Sequence, residues 1–160
     1  MVRRLEEVEN VLAAELGFSP LLADDIIRLT VEICAGELPL ICSLPPEIVL
    51  TLGPRLIDQG ASAISLAPRR GALTTPLRQG AKGATPAVEV ISGRLFGPGL
   101  FPLTIERVQN AAKLGLPLIA AGGIWSEADC DAALAAGALA VQIDAPNWLP
   151  PPPEDRELRL

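Results

Sequence analysis

Two adjacent glycines, Gly122 and Gly123, lie in a stretch whose residue types could bind an anion. They follow the apolar residues 116–121 and precede Ser126, which is a favourable N-cap for a helix. A glycine turn that leads into a helix offers backbone N–H groups and the positive end of the helix dipole, which together attract phosphate. A purely structural role is also open, because Asp129 could complete a capping box with Ser126.

Asp144 follows the next apolar run and argues against phosphate at this position. A carboxylate about 4 Å from a phosphate repels it by about 1 to 4 kcal/mol per pair of charges, depending on the local dielectric. Alternatively, Asp144 and Asn147 cap a terminal turn or bind arginine side chains. Arg69, Arg70, Arg78 and Lys82 are the candidates for such contacts, and they could also close over an anionic substrate or remain solvated.

The composition excludes several kinds of chemistry. The 160 residues contain no histidine, so they cannot supply Ser-His-Asp or Cys-His nucleophile systems or histidine metal ligands. Cys34, Cys42 and Cys130 lie in apolar segments without CxxC spacing, which favours buried, reduced thiols over a zinc site or a disulfide. We therefore predict no metal site.

The charge and hydropathy patterns limit the partners and the location. A net charge of −6 argues against nucleic acid or an anionic membrane as a partner, since both need a clustered cationic surface. No apolar run approaches the roughly 20 residues needed to span a bilayer. We expect a cytoplasmic protein that binds a small-molecule substrate.

Alternating strands and helices must position these residues. The apolar runs "LPLICSLP", "ASAISLAP", "LPLIAAGGI" and "ALAVQIDAP" show little alternation, which is typical of parallel strands buried on both faces. Helical spacing of apolar residues occurs between them, and it involves Ile26, Ile27 and Val31; Ile48, Leu52 and Leu56; Ile105, Val108 and Ala112; and Cys130, Ala133 and Leu134. The order predicts an α/β protein.

Three segments depart from this alternation of strands and helices. In residues 1–20 the local pattern favours a helix, although "VLAAELGF" could also form a buried strand. Residues 69–93 are rich in glycine, proline and cations, and they predict a long loop with a short hairpin around "AVEVI". The tail at 151–160 begins within the proline run 150–153, which favours an extended segment. We therefore assign one domain to residues 1–150 and a Pro-rich tail to 151–160.

The stretches "GRLFGPGLFPLTIERV" and "LPLIAAGGIWSEADCDAALAAGALAVQI" resemble the C-terminal half of the dihydroorotate dehydrogenases, which are FMN-dependent (β/α)8 barrels of pyrimidine synthesis. The matching residues are Gly97, Pro98, Pro102, Leu103, Gly122, Gly123, Ile124, Ser126, Asp129, Gly137, Ala138, Val141 and Gln142. The resemblance implies a partial TIM-type (β/α) barrel of four to five parallel strands with alternating helices.

The resemblance also implies site residues. FMN as cofactor would be bound by Ser43, Gly97, Gly122, Gly123, Ile124 and Ala145. "AAELGFSP" is similar to the family strand that leads to the catalytic base, so Ser19 occupies the base position. The chain departs from the family pattern at Ser43 and Phe101, where lysines are expected, at Phe96, where serine is expected, and at Gly17, where asparagine is expected.

Two classes of function remain open on these observations. The chain supplies the FMN-phosphate half of an oxidoreductase completed by another chain and is inactive alone, or it is a non-catalytic, degenerate half-barrel that acts as a binding or assembly module. A weaker alternative is half of another phosphate-binding barrel, such as a sugar-phosphate isomerase. An open parallel sheet has unpaired edge strands, so we expect a homo-oligomer or a complementary half-barrel chain as partner.

Overall fold

In the part of the chain that the structure describes, five parallel strands and four α-helices alternate, and a two-stranded hairpin interrupts them. The computed structural model describes residues 7–17, 23–76 and 88–143. None of the helices in these ranges is long and apolar enough to cross a membrane. The elements are β1 (Ala14–Gly17), α1 (Ala23–Cys34), β2 (Leu40–Leu44), α2 (Val49–Asp58), β3 (Ala63–Leu66), β4 (Arg70–Pro76), β5 (Val88–Arg94), α3 (Phe101–Lys113), β6 (Leu118–Ala121), α4 (Glu127–Ala135) and β7 (Ala140–Gln142).

The main sheet confirms the predicted fold class. Its strand order is β1-β2-β3-β6-β7, and every neighbouring pair is parallel. Because the strands lie side by side in chain order and a helix follows each of the inner ones, the architecture is that of a partial (β/α) barrel. The four apolar runs predicted as strands form β2, β3, β6 and β7.

The core lies between one face of this sheet and the helices. Alternate strand residues point to that face, and side chains from all four helices cover them. Strand residues that are at most 2% exposed include Leu40, Cys42, Leu44, Ile64, Leu66, Leu118 and Ala120. The helices contribute Ile26, Val49, Leu52, Leu56, Val108, Ala111 and Ala133.

The opposite face carries a more polar set of residues. The register pairs Gly17 with Ser43 and Ser43 with Ser65, so these three positions form a row across β1, β2 and β3. In a closed barrel, this face is the barrel interior. Its residues at the carboxyl ends of the strands are therefore the ones available to a ligand.

Of the two alternatives for the N-terminal segment, the structure shows the strand and not the helix that the local pattern favours. Residues 14–17 form β1, which pairs residue for residue with Leu40–Ser43, and residues 7–13 are not helical. The apolar spacing in this stretch is compatible with a helix, but Ala14 is buried in the sheet and its amide donates to Pro39 at 2.9 Å. Pairing with β2 therefore prevailed over the local pattern.

The structure of residues 69–93 also differs from the prediction of a long loop. β4 and β5 form an antiparallel hairpin of seven residues on each strand, with Arg70 opposite Arg94 and Pro76 opposite Val88. The short hairpin expected around "AVEVI" therefore extends well beyond that stretch. Pairing between the two strands gives their backbone N–H and C=O groups hydrogen-bond partners. This pairing cannot be predicted from the glycine and proline content of the segment.

Candidate functional site

A pocket of about 430 Å³ lies at the carboxyl ends of β1, β2 and β3. In parallel α/β sheets and barrels, ligands bind at this edge because the loops that follow the strands converge there. The lining residues are Gly17, Ser43, Pro45, Glu47, Ala67, Pro68, Arg70 and Arg94. The turn at Gly122 and Gly123 follows β6, the strand next to β3, and so lies at the same edge of the sheet.

Of the predicted cofactor residues within the described part of the chain, Ser43 lines this pocket. It is half-buried near the end of β2, on the face that the helices do not cover. Gly17 lies beside it in register and adds no side chain, so the Ser43 hydroxyl borders open space. This hydroxyl can donate one hydrogen bond, but it brings no positive charge.

The charged residues of the pocket lie just before α2 and in the hairpin of β4 and β5. Arg69 Nη1 donates to Glu47 Oε1 at 3.0 Å, which neutralises that carboxylate. Arg70 and Arg94 are exposed at the pocket. Of the four cations predicted to surround an anion, Arg70 therefore lines the pocket, and Arg69 is engaged with Glu47. Arg78 and Lys82 lie outside the described residues.

The Gly122–Gly123 turn is held against the start of α3. Both glycines have positive φ angles, 97° and 77°. The Thr104 hydroxyl donates to the Gly122 carbonyl at 2.8 Å. A Cβ on Gly123 would overlap the Phe101 amide nitrogen and lie 2.7 Å from the Phe101 Cα. Glycine at 123 is therefore required by close packing, whether or not the turn binds a ligand.

A capping box starts α4 as the spacing of Ser126 and Asp129 predicts. The Asp129 amide donates to Ser126 Oγ at 3.2 Å, and Asp129 Oδ2 accepts from the amides of Trp125 and Ser126 at 3.0 Å each. The Trp125 amide is the largest of the influences that hold the pKa of Asp129 below its usual value, and bonds with Ser126 add to it. This carboxylate therefore occupies part of the positive end of α4.

Two amides of the turn lack a hydrogen-bond acceptor among the described residues, and both belong to buried residues. Within the described residues, the amides of Gly123 and Ile124 donate to no acceptor. Gly97, the remaining predicted glycine, precedes the short 3₁₀ turn Pro98–Leu100 with a φ of 141°. A Cβ at Gly97 would meet nothing within 4 Å, so glycine serves backbone conformation there rather than close packing.

Several predicted residues cannot be located. Ser19, Asp144, Ala145 and Asn147 lie outside the described residues. Within the described residues, no three acidic or cysteine side chains come together in an arrangement that could hold a metal ion.

The sequence reasoning missed Arg94, which lines the pocket opposite Arg70. Its position in the sequence could have identified it. Arg94 ends one possible strand, and Arg70 begins the strand that could pair with it.

Comparisons with known proteins agree with this architecture. A family model described as nitronate monooxygenase matches residues 73–146. The relatives include several that bear the name dihydroorotate dehydrogenase B (NAD(+)), catalytic subunit. The relative from Pelobacter propionicus is 29% identical over 92% of this chain and 52% of its own length. That from Citrifermentans bemidjiense is 30% identical over 89% and 46%, and that from Geotalea daltonii is 32% identical over 71% and 37%.

The chain thus spans about half the length of the curated relatives it matches. The match to them extends over most of its residues, including β1, β2 and β3, where the resemblance noted from the sequence is weakest. The comparisons confirm that resemblance: the chain is a relative of the dihydroorotate dehydrogenase-like family of barrel proteins.

Proposed function

We propose that this chain is part of a dihydroorotate dehydrogenase-like flavin oxidoreductase and binds the phosphate end of FMN. The observation that carries the proposal is the Gly122–Gly123 turn at the carboxyl edge of the sheet, where the amides of Gly123 and Ile124, shortly before the start of α4, have no acceptor among the described residues. The names of the relatives support the reaction class. The complete protein would oxidise dihydroorotate in pyrimidine biosynthesis.

The residues fit FMN at both ends of the proposed site. The two amides and the dipole of α4 suit a phosphate, and the turn has space beside Gly122, where a Cβ would meet only Thr104 Oγ1 within 4 Å. The pocket beside β2 has the volume of a small-molecule site and offers the Ser43 hydroxyl as a donor. When bound, a flavin supplies the hydride acceptor that the side chains of the chain lack.

The chain's own residues limit what it can do alone. Ser43 and Phe101 stand at the two positions where the resemblance implies lysines, so neither position brings a positive charge that could stabilise negative charge on a bound group. Phe101 begins α3 and packs against the core and the Gly123 backbone. We therefore propose that the chain by itself oxidises dihydroorotate slowly or not at all. Ser19 is the proposed base, by resemblance only.

A second candidate is a non-catalytic half-barrel that serves as a binding or assembly module. The capping box favours it, because Asp129 already satisfies the amides of Trp125 and Ser126 and brings a negative charge to the start of α4. In this alternative the glycines are retained for packing against Phe101.

We also propose a partner and a location. The outer strands β1 and β7 each pair on one side only among the described strands, so a second copy or a complementary half-barrel would cover them. Light scattering that shows a monodisperse, cooperatively folded monomer would contradict this. The free cysteines Cys34, Cys42 and Cys130 support a reducing, cytoplasmic compartment.

Flavin titration tests the proposed function. Purified protein is titrated with FMN and, in parallel, with riboflavin, which lacks the phosphate, while flavin fluorescence and visible absorption are followed. We expect FMN to bind and riboflavin to bind at least about tenfold more weakly, because the phosphate contacts charged and dipolar donors. If neither binds, the oxidoreductase proposal is wrong and the non-catalytic alternative is favoured. Equal binding of both would contradict the phosphate site at the turn.

A further inference from the structure

Two arginines face each other at the base of the hairpin. Arg70 is the first residue of β4 and Arg94 the last residue of β5, and the antiparallel register pairs them directly. Residues paired in this way project from the same face of a hairpin, and like charges directly opposite each other destabilise it. Neither arginine forms an ion pair within the described residues. Both line the pocket at the ends of β1, β2 and β3.

The rest of the pocket leaves this positive charge uncompensated. Among the described lining residues Glu47 is the single carboxylate, and its Oε1 accepts from Arg69 at 3.0 Å. Ser43 adds a hydroxyl donor, and the remaining lining residues are glycine, alanine and proline. A pocket of about 430 Å³ is large enough for a small organic molecule. The polar groups that converge on it are mainly donors.

We propose that Arg70, Arg94 and Ser43 form an oxyanion site that binds the carboxylate or phosphate group of a small organic ligand. Each guanidinium can bind such a group through two parallel N–H bonds. The ligand also removes the repulsion between the arginines, so the like-charge pair becomes favourable only when the pocket is filled. The site shares Ser43 and its pocket with one end of the proposed flavin site but does not include the Gly122–Gly123 turn, so it is tested without flavin.

Calorimetric titration of the flavin-free protein at low ionic strength tests the site. The probes are benzoate, a small planar carboxylate, and inorganic phosphate. We expect saturable binding of at least one probe, and a loss of about tenfold in affinity for Arg70→Gln and for Arg94→Gln, since each removes a charge-assisted contact. Arg55→Gln, an exposed arginine on α2, is the matched control and should bind as the wild type does. Tighter binding of benzoate identifies a carboxylate ligand, and tighter binding of phosphate a phosphate ligand.

Thermal unfolding separates a binding role from a structural one. The same concentration of probe should raise the melting temperature of the wild type by more than that of Arg94→Gln. Without probe, Arg94→Gln should melt at the same temperature as the wild type or higher, because the repulsion is relieved. If the glutamine variants do not fold, phenylglyoxal modification of wild-type Arg70 and Arg94, mapped by mass spectrometry, should be slowed by the probe.

Two results would overturn the proposal. One is that neither probe binds the folded wild type or protects its arginines. The other is that both glutamine variants bind the probes as tightly as the wild type. Binding of a probe in protein that does not bind FMN would contradict the proposed function and leave this site supported, so the two failures can be told apart.

Discussion

Ser65 on β3 donates its hydroxyl hydrogen to Glu15 Oε1 on β1 at 2.6 Å, across the intervening strand β2. Ser65 is fully buried, whereas Glu15 is exposed. The bond lies on the sheet face that the helices do not cover, and it ties the short outer strand β1 to the centre of the sheet. A charged acceptor strengthens such a bond, so it contributes to holding the pocket residue Gly17 beside Ser43.

Replacing Ser65 with alanine should lower the free energy of unfolding by about 1 kcal/mol, because the bond is lost while exposed Glu15 regains water. Urea unfolding followed by circular dichroism measures the change. Ser62→Ala is the control, since Ser62 is an exposed serine at the start of the same strand region. In a double-mutant cycle, Ser65→Ala and Glu15→Gln should be non-additive. Additive effects would contradict a direct contribution of the bond.

Alanine substitutions at the two turn glycines should differ in cost. Gly123→Ala should destabilise by about 3 kcal/mol or more, because a positive φ is combined with overlap on the Phe101 backbone. Gly122→Ala should cost about 1 to 2 kcal/mol, since its Cβ would make only ordinary contact with Thr104 Oγ1 at 3.6 Å. Thermal unfolding of both variants tests this order. Equal losses would show that the turn can move away from α3.

This difference also affects how phosphate binding can be tested. A charged substitution at Gly123 would disturb the packing on Phe101 as well as any ligand, so a loss of binding there would not report on the ligand alone.

The capping box of α4 should make stability depend on acid pH. The bonds to Asp129 lower its pKa from the ordinary value of 3.8, so its ionised form stabilises the native state. This contribution is complete above about pH 5 and is lost as the pH falls through the lowered native pKa. Asp129→Asn should therefore lose stability at pH 7 but approach the wild type near pH 2, as measured by urea unfolding. A constant difference at both pH values would contradict the assignment.

Cys42 should resist alkylation in the folded protein. Burial raises the pKa of its thiol to about 11, and its Sγ lies 3.8 Å from Thr30 Oγ1. Because the thiolate is the reactive form, iodoacetamide at pH 8 should modify the partly exposed Cys130 well before Cys42, as peptide mass spectrometry will show. Rapid modification of Cys42 would contradict its burial.

The same shift predicts an alkaline limit to stability. The native state holds the Cys42 proton more tightly than the unfolded chain, whose thiol has the ordinary value of 9.0. Its contribution is therefore present below about pH 9 and is lost as the pH rises towards 11. Cys42→Ala should be less sensitive to pH in this range than the wild type, and an identical pH dependence would contradict the prediction.

The amino-acid sequence by itself determined the elements that depend on local patterns. Short apolar runs bounded by turn residues indicated β2, β3, β6 and β7, and helical spacing indicated the helices that follow or precede them. The Ser126–Asp129 capping box was also predictable, since both partners lie within a single helical turn. These features arise from residues a few positions apart, and propensity and periodicity report on such distances.

Only the tertiary structure decided the features that depend on strand pairing. β1 is a strand because Ala14–Gly17 pairs with β2, although its own apolar spacing allows a helix. Arg70 and Arg94 are 24 positions apart and meet because the register of the hairpin pairs them, and Ser65 reaches Glu15 over 50 positions. Register is set by main-chain bonds and by burial of one sheet face, and neither can be read from a single segment of the chain.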